Sequence, residues 1–504
     1  MTENSNYKEY KQLLQKAADI NNAAAVLGWD QEVYMPPKGA PFRGRQLATL
    51  ATMAHELLTS NRLGELLNIL KDATDLNEIE KANVLRSNED YSKNKKLSPE
   101  FVEQLSMQTS ECFNAWIEAR RANDFSLFAP SLTKMVELKR KQTQMYGYDN
   151  HPYNALLDEY EPGITVATLD NVFSGIRQQL PVILNAIRSA AQVNDSFFYK
   201  TYPKQQQWDF SMQILQAMGY DLEAGRQDLS EHPFSTSFAP TDVRVTTRVS
   251  EQNYASLLWS TIHEGGHALY EQGLPEDEYG MPAGAAASLG IHESQSRLWE
   301  NCVGRSIGFW EHFYPELTKF FPQQLSGISA ADFFKATNKV APSFIRTEAD
   351  EITYHFHVMI RYEIEKALIE GNLEVKDLPA TWNALYEKYL GITPPDDMTG
   401  VLQDVHWSHG SFGYFPTYTL GSFYAAQFYA HAQKAIPTLE ADIATGKMDE
   451  LLSWLRSNIH RHGRRYTSED LCELVTGSKL DTRYFLNYIQ KKYEQVYGIT
   501  FDKH

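Results

Sequence analysis

The apolar residues from Tyr7 to about Gln192 recur at spacings of three and four positions, as Leu14 and Ala17 do. This spacing places them on one face of an α-helix, so we expect this half of the chain to be a set of long helices. The same spacing returns at about Gln252 and continues to the end of the chain. The pattern therefore predicts a mainly α-helical protein.

The period changes to two over Thr241–Val249, where β-branched residues dominate. Such alternation predicts a short strand. The preceding segment, Glu231–Phe238, can pair with it across the turn at Pro240. We therefore expect a small antiparallel β ribbon directly before the helical pattern resumes.

Composition narrows the functional class of this 504-residue chain, which has 47 Lys and Arg, 64 Asp and Glu, and a net charge of −17. Binding to the phosphate backbone of nucleic acids requires clustered positive charge, which this acidic chain lacks. No apolar stretch is long enough to span a membrane, and the first thirty residues lack the apolar core of a secretion signal. Three scattered cysteines form no disulfide framework. We expect a cytoplasmic protein that binds neither nucleic acid nor membrane.

No break in the pattern is long enough to be a flexible interdomain linker. We therefore expect a single domain over residues 1–504. Residues 1–230 would form its mainly helical part, and residues 231–504 would carry the chemistry.

The strongest chemical signal is the motif His263-Glu264-Gly265-Gly266-His267 within an apolar helical pattern. On a helix, residues i and i+4 project from one face, so both imidazoles can bind one Zn²⁺ while Glu264 stands beside the open metal position. Zinc acidifies a bound water, and Glu264 can accept the released proton. The alternative is a surface helix with two solvated histidines. The motif indicates a metal-dependent hydrolase.

A catalytic zinc site uses three protein ligands and leaves a fourth position open. The third histidine of metzincins is missing, so a carboxylate on a second helix is the remaining common solution. Glu293, in the helical segment Ile291–Asn301, is our choice, with His292 and Glu300 as alternatives. Arg297, at i+4, could instead hold Glu293 in an ion pair.

Five blocks along the chain resemble the carboxypeptidase Taq family of zinc metallocarboxypeptidases over essentially the whole length. The blocks are His232-Pro233-Phe234, Asp242-Val243-Arg244-Val245-Thr246, the motif from His263 to His267, Ile345-Arg346-Thr347-Glu348-Ala349-Asp350, and Gly400-Val401-Leu402-Gln403-Asp404-Val405-His406-Trp407. The resemblance implies that Glu293 is the third zinc ligand. It also implies a helical two-lobed body with a deep central groove and a small β ribbon beside the zinc-binding helix.

The family resemblance further implies a cytoplasmic homodimer that removes single residues, with broad specificity, from peptides with a free carboxyl end. Zn²⁺ is the expected cofactor, and Co²⁺ can be accepted because affinity alone does not separate these divalent ions. An oligopeptidase that cuts internally is the alternative enzyme. A helical scaffold with a closed structural zinc site is the non-enzyme alternative.

A carboxypeptidase must hold a free terminal carboxylate, and arginine binds a carboxylate through two charge-assisted hydrogen bonds. Arg346 is the candidate for this anchor, although an ion pair with Glu348 or Asp350 would also explain it. A hydrogen-bond donor for the developing oxyanion is also expected. The candidates for this role are His232, His406 and Tyr414. Candidates for orienting the zinc-bound imidazoles are Asp242, Gln403 and Asp404.

Overall fold

The computed structural model describes residues 4–501, which form helices joined to one small sheet. The α-helices are α1 (Ser5–Val33), α2 (Ala40–Leu58), α3 (Asn61–Leu70), α4 (Glu78–Asn94), α5 (Pro99–Ala122), α6 (Ala129–Tyr146), α7 (Asn154–Leu157), α8 (Val166–Ser189), α9 (Lys204–Met218), α10 (Tyr254–Glu271), α11 (Leu289–Arg297), α12 (Ile307–Phe320), α13 (Ala330–Thr337), α14 (Thr353–Glu370), α15 (Leu378–Leu390), α16 (Pro416–Ala435), α17 (Leu439–Ile443), α18 (Asp449–Asn458), α19 (Ser468–Thr476) and α20 (Thr482–Tyr497). The expectation of a mainly α-helical protein is confirmed. Within residues 4–501, no helix has both the length and the apolarity needed to cross a membrane.

The sheet has three strands, β1 (Gly225–Leu229), β2 (Ser235–Ala239) and β3 (Asp242–Thr247), in the order β1-β3-β2. Strands β2 and β3 are antiparallel, as the sequence predicts. Strand β1 was not predicted, and it pairs with β3 in parallel. The predicted ribbon is therefore part of a mixed sheet.

The described residues fall into two compact units. Unit 1 comprises residues 4–94, 194–337 and 424–480, and unit 2 comprises residues 95–193, 338–423 and 481–501. The boundaries of these units differ from the division at residue 230 that the sequence analysis expects. The motif His263–His267 lies in unit 1, and Arg346 lies in unit 2.

Helix α10 is central to the core of unit 1, where it packs against α9, α11 and β3. Its buried apolar side chains include Leu257, Leu258, Ile262 and Leu269. Ser288 caps the N-terminus of helix α11, because its hydroxyl accepts a hydrogen bond from the backbone N–H of Ile291 at 2.9 Å. A π-helix, Leu298–Gly304, directly follows α11. These elements carry the polar residues described next.

Candidate metal and catalytic site

Two helices bring three potential metal-binding side chains together. His263 and His267 project from one face of α10, and their ring centroids are 4.9 Å apart. Glu293 of α11 places its Oε2 atom 3.8 Å from Nε2 of His263 and 3.6 Å from Nε2 of His267. The three donor atoms lie within 4.8 Å of one another. The two imidazoles and the carboxylate therefore converge on one point.

The other ring nitrogen of each imidazole is engaged by a different side chain. Nδ1 of His263 lies 2.8 Å from Oε2 of Glu300, and Nδ1 of His267 lies 2.6 Å from Nδ1 of His292. These contacts leave both Nε2 atoms directed toward Glu293. His292 and Glu300, the alternative third ligands of the sequence analysis, thus lie directly behind the two imidazoles.

Two arginines neutralise the acidic side of the site. Arg297 donates from Nε to Oε1 of Glu293 at 2.7 Å, which is the predicted i+4 pair, and Oε2 remains directed at the imidazoles. Arg305 donates to Oε1 of Glu300 at 2.9 Å. Burial alone would raise the pKa of Glu300, but Arg297, the hydrogen bond with His263, and Arg305 hold that pKa well below its usual range. Glu300 is therefore an ionised acceptor for His263.

Glu264 is buried beside the three converging side chains. Burial raises the pKa of its carboxyl group to about 7, against the opposing effect of His263. A carboxyl group with a pKa near neutrality can both accept and return a proton. Its position and pKa fit a general base.

The two glycines of the motif allow close approach of neighbouring elements. A Cβ atom on Gly266 would lie 2.7 Å from Cα of Ser296 and 2.9 Å from the carbonyl oxygen of Gln295, both in α11. A Cβ atom on Gly265 would lie 2.8 Å from a methyl group of Leu215 in α9. Gly266 therefore lets the two helices that carry the three donors contact each other through their backbones.

The donor set fits a divalent metal ion. Two imidazole nitrogens and one carboxylate oxygen are the ligands of many catalytic zinc sites. Among residues 4–501, the group of candidate metal ligands at this point has three members, His263, His267 and Glu293. A closed structural site would need a fourth, so the geometry favours a site with an open position.

Arg346 in unit 2 is buried and has a partner that spacing did not suggest. It donates from its NH2 group to Oδ1 of Asp404 at 3.0 Å. Arg361 donates from Nε to Oδ2 of the same aspartate at 2.6 Å. Asp350 instead accepts a 2.6 Å hydrogen bond from the hydroxyl of Thr353 at the start of α14. The buried cluster thus has two guanidinium groups and one carboxylate.

His406 and Tyr414 lie close to this cluster in unit 2. The ring centroids of His406 and Tyr414 are 5.3 Å apart, and Nε2 of His406 lies 3.2 Å from the hydroxyl oxygen of Tyr418. Burial, together with Arg346 and Arg361, lowers the pKa of His406 to about 3. His406 is therefore a neutral imidazole at physiological pH.

The remaining predicted residues lie in other surroundings. His232 is exposed just before β2. Asp242 pairs with Arg244 at 2.8 Å, and Gln403 accepts a hydrogen bond from the backbone N–H of Arg346 at 2.9 Å. The predicted imidazole partners, Asp242, Gln403 and Asp404, therefore contact arginine residues, whereas the observed partners are Glu300 and His292.

Sequence reasoning missed Glu271 and Arg305. Nε2 of His292 lies 2.8 Å from Oε1 of Glu271. Burial alone would raise the pKa of Glu271, but the hydrogen bond from His292 holds it below its usual range. Helical spacing could have indicated Glu271, because it follows His267 by four positions and shares its face of α10. Arg305 lies beyond the π-helix, so helical spacing from Glu300 carries no such signal.

Comparison with known proteins agrees with this geometry. A family model described as carboxypeptidase Taq (M32) metallopeptidase matches residues 9–493. The chain is 40% identical to carboxypeptidase 1 of Bacillus subtilis, covering 97% of this chain and 98% of that protein, and 40% identical to thermostable carboxypeptidase 1 of Thermus thermophilus, covering 99% and 100%. The crystal structure of the M32 carboxypeptidase from Deinococcus radiodurans R1 matches with a TM-score of 0.96 and 39% identity, covering 98% and 100%. The chain therefore belongs to the carboxypeptidase Taq (M32) metallopeptidase family.

Proposed function

We propose that this protein is a zinc-dependent carboxypeptidase that releases single amino acids, with broad specificity, from the free carboxyl end of peptides. The observation that carries the proposal is the convergence of His263, His267 and Glu293 beside the buried Glu264. Family membership supports the reaction class. The homodimer and the cytoplasmic location stay predictions.

In this proposal, His263, His267 and Glu293 hold Zn²⁺. A bound zinc ion polarises the scissile carbonyl group and promotes ionisation of water. Glu264 accepts a proton from the attacking water and returns a proton to the leaving amine. In the metal-free protein, burial raises the pKa of Glu264 to about 7, which is the direction that a group exchanging protons near neutrality requires.

The buried charges around Arg346 support its role as the anchor for the terminal carboxylate. Arg346 and Arg361 both contact Asp404, so two positive charges share one negative charge. A buried excess of positive charge is costly unless an anion compensates it. We propose that the carboxylate of the substrate supplies this charge through Arg346. Neutral His406, with Tyr414 nearby, remains a candidate donor to the oxyanion, as does His232.

The proposal is tested with one unblocked peptide and its C-terminally amidated twin. Each is incubated with the purified protein alone, with a chelator, and with a chelator followed by Zn²⁺ or Co²⁺, and products are read by mass. We expect stepwise loss of C-terminal residues from the unblocked peptide alone, abolished by chelation and restored by metal. Internal cuts in both peptides would assign an oligopeptidase instead, and absence of cleavage under every condition would favour a non-enzymatic scaffold.

A further inference from the structure

His267 and the two side chains behind it, His292 and Glu271, form a continuous series of hydrogen-bonding contacts. Nδ1 of His267 lies 2.6 Å from Nδ1 of His292, and Nε2 of His292 lies 2.8 Å from Oε1 of Glu271. His267 and Glu271 are one turn apart on α10, whereas His292 belongs to α11. The series therefore joins the two helices that carry the candidate metal ligands.

The chemistry of the three groups determines where the hydrogens lie. The ionised carboxylate of Glu271 can only accept, so Nε2 of His292 carries a hydrogen and donates it. Only one hydrogen fits between the two Nδ1 atoms, and in neutral His292 the Nδ1 atom is the acceptor. His267 must then donate from Nδ1. This arrangement leaves the lone pair of His267 on Nε2, the atom that faces Glu293.

We propose that Glu271 and His292 are positioning residues that fix the tautomer and ring orientation of His267 for metal binding. This inference rests on the proposed function, because it takes His267 as a metal ligand. His263 receives the same support directly from the carboxylate of Glu300, at 2.8 Å. The two imidazoles are thus held by different groups, a carboxylate in one case and a histidine backed by a carboxylate in the other.

Glu271 is well placed for testing the series without disturbing the core. It lines a cavity of about 700 Å³ in unit 1, together with Ser237 of β2 and Tyr279. The side chains of His292 and Glu271 are 18% and 19% exposed to solvent. A substitution at Glu271 therefore removes a hydrogen-bond acceptor at a cavity wall and leaves no buried void.

The experiment measures the dissociation constant of Zn²⁺ for the metal-free protein by competition with a chelator. We expect His292→Phe to weaken Zn²⁺ binding by about 10- to 100-fold, since outer partners of metal-binding histidines have effects of this size. His292→Asn should bind Zn²⁺ more tightly than His292→Phe, because Oδ1 of asparagine can take the place of Nδ1 and accept from His267. Glu271→Ala should weaken binding in the same direction, and it serves as the second variant if His292→Phe fails to fold.

His460→Phe is the matched control. The rings of His460 and His292 both pack on the ring of Tyr270, at centroid distances of 5.1 Å and 5.3 Å. His460 also forms a hydrogen bond with the side chain of Gln295 in α11. His460 lies outside the series, so its replacement should leave the affinity for Zn²⁺ within about twofold. An equal loss in the His460 and His292 variants would overturn the inference, because packing around Tyr270 would then explain both.

The absorption spectrum of the Co²⁺-loaded protein gives a second readout. We expect it to change in His292→Phe and in Glu271→Ala, because the orientation of His267 would change. Unaltered Zn²⁺ affinity and an unaltered Co²⁺ spectrum in both variants would overturn the inference. A different result would refute the proposed function itself: the parent protein would bind no Zn²⁺, or His263→Ala would bind it as tightly as the parent.

Discussion

The buried carboxyl groups of Glu264 and Glu300 differ in their pKa although both lie next to His263. Glu264 has mainly burial acting on it, and its pKa rises to about 7. Glu300 faces Arg297 and Arg305 as well as His263, and its pKa stays well below the usual range. The difference in neighbouring charge therefore makes Glu264 a group that can exchange protons, whereas Glu300 carries a fixed negative charge.

Glu264→Gln should keep the metal and lose turnover. Glutamine preserves the size of the side chain but cannot accept the proton of the attacking water, so we expect kcat to fall by about 10²- to 10⁴-fold. Zn²⁺ affinity should change little, because Glu264 is not one of the three converging donors. The measurement pairs peptide turnover with chelator competition, and exposed Glu276→Gln is the control. Parent-like turnover in the Glu264 variant would refute its role as the base.

Arg346→Gln should impair recognition of the substrate carboxylate. Charge-assisted hydrogen bonds contribute about 1.5–3 kcal/mol, so we expect KM for an unblocked peptide to rise by about 10- to 100-fold. Asp404 would keep Arg361 as its partner at 2.6 Å, so the buried carboxylate would stay paired. Arg177→Gln, in the partly exposed pair with Glu363, is the control. An unchanged KM for Arg346→Gln would assign Arg346 a structural role.

At the scale of helices and strands, the site depends on the distance between α10 and α11. The glycine at 266 permits backbone contact with Ser296 and Gln295. A side chain there would meet backbone atoms, which cannot move aside as a flexible side chain can. The separation between Glu293 and the two imidazoles therefore depends in part on this position.

Gly266→Ala should separate the two helices. We expect it to destabilise the protein by about 1–3 kcal/mol, as overpacking does, and to weaken Zn²⁺ binding because Glu293 would move away from the imidazoles. Gly28→Ala in α1 is the matched control, since a Cβ atom there would meet nothing within 4 Å. Because alanine favours helices more than glycine does, this control should raise stability slightly. Equal thermal midpoints for the two variants would contradict the role of Gly266.

The sequence pattern was sufficient to predict those helices and strands that depend on residues close together in the chain. Helical periodicity and the alternation over Thr241–Val249 predicted the helices and the β2–β3 pair. Strand β1 has no β-branched alternation, and it pairs in parallel with β3 rather than with β2, the next strand along the chain. The close approach of Gly225 to the carbonyl oxygen of Val243 exists only in the folded sheet. Tertiary contacts therefore determine this strand.

In the candidate site, too, contacts between residues near in sequence were predictable, whereas contacts that depend on tertiary packing were not. The two histidines share a helix, so spacing alone places them together. Spacing made Glu293 our choice but left His292 and Glu300 open, because the approach of Glu293 to the histidines depends on how α11 packs. The family resemblance then implied Glu293. The pairing of Arg346 with Asp404 joins positions 58 apart in sequence. Spacing offered Glu348 or Asp350 as the alternative partners of Arg346, since those residues are near in the chain.

At the scale of the whole molecule, the pH dependence of stability includes buried carboxyl groups outside the metal site. Glu365 in α14 is fully buried and accepts hydrogen bonds from the indole N–H of Trp407 at 2.8 Å and the backbone N–H of Gly413 at 2.8 Å. Burial outweighs these hydrogen bonds and raises the pKa of Glu365 to about 7. The folded protein therefore holds a proton that the unfolded chain releases at lower pH.

This difference predicts that Glu365 lowers stability as pH rises. Because its pKa is higher in the folded state, its favourable contribution is complete below about pH 4.5 and is lost as pH rises through about 7. The slope has an upper limit of about 1.4 kcal/mol per pH unit. Glu365→Gln stays neutral, so between pH 5 and 7.5 its thermal midpoint should fall less than that of the parent. Exposed Glu374→Gln, which removes a carboxylate from the surface, should follow the parent curve. Parallel curves for parent and Glu365→Gln would show that Glu365 is already ionised in the folded protein at pH 5, because its hydrogen bonds would then outweigh its burial.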